Sequence, residues 1–130
     1  MNIIFGDSID TLPDHYIKLE LDTFRITDSN NIVTAYCLVE KLAPDEFATM
    51  DSYKKIHVDL LDAYRKQHWN YCEQAIAGLM GRWGGELDTF YINLLNRVNQ
   101  HKENGVPKDW TAIIIKDTMP WGNSFPVSNE

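Results

Sequence analysis

The sequence is short of several things, and each shortage removes a class of function. Basic residues come first: 12 Lys and Arg stand against 19 Asp and Glu, for a formal net charge of −7. Binding a phosphate backbone needs a basic stripe. Here Lys54-Lys55 and Arg65-Lys66 sit among carboxylates, so nucleic acid is not expected as a partner. Long apolar runs are also missing. No stretch approaches the roughly 18 apolar residues of a membrane span. "MNIIFGDSID" has neither the basic start nor the apolar core of a signal peptide. A membrane partner is therefore not expected, and a cytoplasmic location is. Cysteine is scarce too. Cys37 falls in an apolar strand and Cys72 in a helical pattern, and both read as small buried hydrophobes with reduced thiols.

Signatures of catalysis are equally thin. There is no Gly-x-Ser-x-Gly elbow and no Cys-x-x-Cys pair. "GRWGGE" (81–86) has the glycines of a phosphate loop but lacks its Lys-Ser/Thr ending and follows a helix, so it reads as a helix–helix connection. His68 and Cys72, four apart, are only two of the four ligands a metal site needs. Asp59 and Asp62 share a helix with His57, and beside Lys54, Lys55 and Arg65 they read as a solvated, salt-bridged face. No nucleophile is nominated, and no cofactor or metal is called for.

What is present is one domain's worth of patterned chain: 130 residues, 44% hydrophobic and 24% charged. "NIIF" (2–5) reads as a brief strand stopped by Gly6-Asp7. "DSIDTLPDHY" is a helical turn or a loop. Ile17, Leu19 and Leu21, then Phe24 and Ile26, make a strand that changes face near Asp22-Thr23, as at a bulge. "TDSNN" (27–31) supplies turn formers, and "IVTAYCLVE" completes a hairpin. After Pro44, apolar residues recur at threes and fours through Phe47, Met50, Tyr53, Leu60, Leu61 and Tyr64, with Asp45 as cap and Glu46 in the first turn. A second helix runs from Trp69 to Met80 and a third from Leu87 to Val98, each followed by glycine. The pair around "AYRKQHWNYCEQAI" looks like one antiparallel helical repeat unit. "WTAIIIK" (110–116) is a returning strand, and 119–130 an irregular tail.

The hairpin carries a resemblance. Glu20-Leu21-Asp22 opens its first strand and Arg25-Ile26 closes it, and Val33-Thr34, Tyr36 and Leu38 follow at matching spacing. This is similar to the end of the catalytic domain of class III adenylate and guanylate cyclases. The later Tyr64-Arg65, Trp69 and Asp109-Trp110 resemble the helical tail of some bacterial cyclases, so the likeness spans about residues 3 to 116. It implies that the metal-binding aspartates and the transition-state Asn and Arg would lie ahead of the segment matching Asn2 to Phe5. It also implies a phosphate-binding lysine in the hairpin turn, where this chain has Thr27, Asp28 and Ser29. An aspartate there repels a triphosphate. Cyclase activity from this chain alone is not expected.

The expected architecture is a single α+β domain over 1–118: strands and hairpin in 1–42, helices in 43–103 and a returning strand in 108–118. A small, mostly antiparallel sheet of about four strands is expected to be covered on one side by about three helices. Its edges and open face need covering, which points to a homodimer or another protein partner. Trp69 and Trp110 are assigned to the core by their patterned neighbours. Trp83 and Trp121, in glycine-flanked contexts, are candidates for a partner surface. The leading reading is a non-catalytic protein-interaction or regulatory module. The alternative is a small ligand-binding protein or enzyme with a pocket between sheet and helices, lined by Tyr36, His57, Tyr64 and Glu73.

Overall fold

A computed structural model describes residues 2–5, 16–27, 32–40 and 47–116. The expected cap Asp45 with Glu46 of the first turn, the hairpin turn at 28–31 and the tail from 119 lie outside them. The class is α+β, with three helices and a mixed sheet: β1 (Asn2–Phe5), β2 (Tyr16–Ile26), β3 (Ile32–Glu40), α1 (Phe47–Arg65), α2 (Trp69–Leu79), α3 (Asp88–Asn104) and β4 (Ile114–Lys116). Contacts group the chain into two compact units, Met1–Lys41 with Ile113–Glu130, and Leu42–Ala112.

In the sheet unit the order is β1-β3-β2-β4. β3 pairs antiparallel with both β1 and β2, while the three-residue β4 runs parallel to β2. Alternation decides which side is buried. Ile17, Leu19 and Leu21 of β2 and Ala35, Cys37 and Val39 of β3 are buried, with Ile17 opposite Val39 and Leu19 opposite Cys37. Strict alternation would send Phe24 to the other face, with Lys18 and Glu20. The register shifts between Glu20 and Thr23, and Phe24 returns to the buried side. The bulge anticipated at Asp22-Thr23 is therefore real, and it rescues one large aromatic for the core. On the opposite face Thr23 and Thr34 meet through their hydroxyls at 3.0 Å, and the Lys18 ammonium lies 4.8 Å from the Tyr36 ring centre. The returning strand begins later than expected. Among the described residues only Ile114–Lys116 pair with β2 there, while Trp110 belongs to the helical unit and Ala112 adopts a left-handed φ of 66°.

In the helical unit α2 packs against both α1 and α3. His57 meets Tyr91 and Tyr64 meets His101, so α1 and α3 run in the same direction with α2 opposed. The shared core holds Leu60, Leu61, Cys72, Ile76, Leu79, Leu87, Phe90, Leu94 and Val98, all buried. Each such aliphatic side chain contributes roughly 1.5–3 kcal/mol. Among the described residues no helix is long and apolar enough to cross a membrane.

Candidate functional site

The candidate site grows from the junction between α1 and α2. His68 donates its backbone N–H to the Ala63 carbonyl at 2.8 Å, and Gln67 donates to Tyr64 at 3.2 Å. That pair of bonds is a Schellman stop, whose penultimate residue must be left-handed. Gln67 takes that position at φ 64°, where glycine is usual. His68 then opens α2 directly, with no side-chain cap on its first turn. The helices are joined without slack, which fixes Trp69 against the end of α1.

Around Trp69 four rings from four segments close on one another. Tyr64 of α1, His101 of α3 and Trp110 of the following segment lie 5.7, 5.2 and 5.8 Å from its centre. His101 stacks on Trp69 with 26° between planes, while Trp110 meets both edge-on. The Tyr64 hydroxyl and His101 Nε2 are 3.4 Å apart, and the Arg97 guanidinium lies over the Tyr64 ring. Partial burial, then the charge of Arg97, holds the His101 pKa below its usual value. The lowered pKa favours the neutral imidazole, whose tautomer sets which of the two groups donates in its contact with the Tyr64 hydroxyl. Both tryptophans assigned to the core are only half-buried, a correction with a clear cause. They lie at helix and segment ends, where rings cover one another and leave an edge in water.

Trp69 also lines an open groove of about 380 Å³ with Gln67, His68, Asn70, Tyr71 and Lys102. The Lys102 ammonium is tied to Glu73 at 3.0 Å and to the Asn70 amide oxygen at 3.5 Å. No protein family, no curated protein and no solved structure matches this chain.

A second polar cluster is buried. Trp83 donates its indole N–H to the Tyr91 hydroxyl at 3.0 Å, and that hydroxyl lies 2.8 Å from His57 Nδ1. The indole can only donate, so the Tyr91 oxygen is its acceptor, while the direction of the bond between Tyr91 and His57 follows the imidazole tautomer. Trp83, expected at a partner surface, is 3% exposed, which corrects that expectation. The glycines flanking it, Gly81, Gly84 and Gly85, all adopt positive φ and fold the loop back so that the indole turns inward. Trp121 lies outside the described residues.

The four residues expected to line one pocket are distributed otherwise. Tyr36 lies on β3 of the sheet unit. In the helical unit His57 is 1% exposed and belongs to the Tyr91 cluster, whereas Tyr64 belongs to the Trp69 cluster. Glu73 reaches the groove only through its ion pair with Lys102. Asp59 and Asp62 pair with Lys55 and Lys66 on the exposed face of α1, as expected for a solvated surface. Cys72 is fully buried, its Sγ 4.0 Å from the Leu60 carbonyl, and burial pushes its thiol up to about 11. His68 is exposed, so the two do not converge. Sequence reasoning passed over His101, Lys102 and Gln67. The signal for the first two was their place in the last turn of α3, opposite the start of α2 in an antiparallel pair.

Proposed function

We propose that this chain is a non-catalytic protein-interaction module, and that its helical unit takes an extended segment of a partner protein in the Trp69 groove. The observation carrying this is the state of Trp69. Its ring is locked by three aromatic neighbours yet remains half-exposed into a groove rimmed by amides, an imidazole and an ammonium. A pre-ordered aromatic anchor loses little entropy on binding, and a polar rim supplies orientation. The groups best suited to chemistry support a structural role instead: the Cys72 thiol and the His57 imidazole are withdrawn into the core.

The test is selection of random peptides displayed on phage against the intact protein. Tyr71 and Lys102 are exposed, so Tyr71→Ala and Lys102→Ala leave the core untouched. Peptides that converge on one motif and lose binding to both variants support the reading. Peptides that bind wild type and both variants alike, or no convergent motif at all, refute it.

The sheet unit favours a second reading, self-association or completion of another sheet. Ile32 and Ile115 flank Arg25 in one row across β3, β2 and β4, and they are 58% and 57% exposed. Light scattering separates the outcomes: the protein alone reports a homodimer, and the protein mixed with a cyclase catalytic domain lacking its final hairpin reports complementation. A monomer in both refutes this reading.

A further inference from the structure

The polar groups around Trp69 favour donation over acceptance. Gln67, His68, Trp69, Asn70, Tyr71 and Lys102 line the groove, and none of them is a carboxylate. The Trp69 indole and the Lys102 ammonium can only donate. The Asn70 amide could do both, but Lys102 settles its orientation. An ammonium has no lone pair, so the amide oxygen faces it at 3.5 Å and the NH2 is left to donate elsewhere. The Glu73 carboxylate is held by the same ammonium at 3.0 Å. The groove thus offers donors with little net charge.

That pattern discriminates among occupants. A basic segment would find no carboxylate among the lining residues, and an acidic one would find the Lys102 ammonium already paired. An ordinary extended segment brings one N–H with every carbonyl, and those N–H groups gain few acceptors here. Proline brings the carbonyl without the N–H. Its apolar ring also suits aromatic faces: Trp69 is half-exposed and backed by the His101 ring at 5.2 Å, and Tyr71 is 40% exposed. Proline-rich chain is already extended as polyproline II before binding, so little ordering entropy is lost. A volume of about 380 Å³ is at the small end for a ligand site and admits a short run of residues.

We infer that the Trp69 groove takes a proline-rich segment of a partner protein, its rings against Trp69 and Tyr71 and its main-chain carbonyls on the Asn70 amide and the Lys102 ammonium. This rests on the groove reading above and adds the partner's chemistry to it.

The probe is a fluorescently labelled polyproline peptide, its binding to the intact protein followed by anisotropy. Beside it stands a counterpart of equal length in which alternate prolines are alanine, restoring N–H groups. Polyproline is expected to bind, and the counterpart to bind more weakly. Asn70→Asp turns the donating amide into an acceptor of the same shape, and a carboxylate in the first turn of α2 suits both the helix and Lys102. It should weaken polyproline binding about tenfold without lowering the thermal midpoint. Tyr71→Ala should weaken it as well. Polyproline that does not bind, equal affinity for the two peptides, or full affinity in Asn70→Asp each overturns the inference. The groove reading fails separately: it survives those results if selected peptides of another composition lose binding in Tyr71→Ala and Lys102→Ala, and it falls if the selection yields no convergent motif.

Discussion

Replacing Tyr91 by Phe removes one oxygen and changes nothing else in the covalent structure. That oxygen accepts the Trp83 indole N–H at 3.0 Å and lies 2.8 Å from His57 Nδ1, with all three side chains at most 3% exposed. Deletion leaves the indole N–H buried without its acceptor, which costs about 1–3 kcal/mol, and it removes the His57 bond, worth about 1 kcal/mol net. The expected loss is about 2–4 kcal/mol, a large part of the roughly 5–15 kcal/mol that holds a domain together. For a chain of this length the midpoint of thermal unfolding should fall by roughly 10–15 °C. Thermal and urea unfolding followed by circular dichroism at the helix band would measure it. A double-mutant cycle with Trp83→Phe isolates the shared bond. Coupling of about 0.5–3 kcal/mol is expected, because the second substitution removes a donor already unsatisfied. A Tyr91→Phe loss below about 0.5 kcal/mol refutes the assignment of this hydroxyl as the bridge in the core.

Three further outcomes are expected. Burial raises the Cys72 pKa to about 11, so only about a thousandth of it is thiolate at pH 8. Alkylation followed by mass spectrometry should therefore label Cys72 only on unfolding, and rapid labelling of native protein contradicts the packing against Leu60. Gln67→Gly relieves a left-handed residue at the α1 stop and should raise the urea midpoint, gaining up to about 1 kcal/mol; a lowered midpoint shows that the Gln67 side chain supports the turn. His101 has a folded pKa below its unfolded value, so its contribution to stability is full above the unfolded pKa and is lost as pH falls through the folded one. Stability should thus decline below about pH 6.5, more steeply in wild type than in His101→Gln, and parallel pH profiles contradict the assignment.

Much of the backbone was legible because it depends on local periodicity. Alternation from Ile17 to Leu21 and its break before Phe24 located β2 and its bulge, and threes and fours from Met50 to Val98 located the helices. Gly105 stands at the end of α3 with φ 76° and its N–H on the His101 carbonyl, as a helix stop signal should. Places where side chains from distant segments compete for one space were not legible. Trp83 looked like a surface residue because glycines surround it, and those same glycines turn it inward onto Tyr91, eight residues away. Trp110 looked like the start of a strand, yet its ring packs on those of Tyr64, Trp69 and His101, and β4 begins only at Ile114.

The sequence by itself thus determined the α+β class, the bulged hairpin, the three helices and the burial of both cysteines. These follow from the spacing of apolar residues along one segment, which a reader of the chain can count. Tertiary structure alone decided that His57 would join Trp83, that His101 would stack on Trp69, and that an open groove would form beside them. Those outcomes depend on which helix ends meet, and α1 and α2 meet as they do because a left-handed Gln67 turns the chain within two residues.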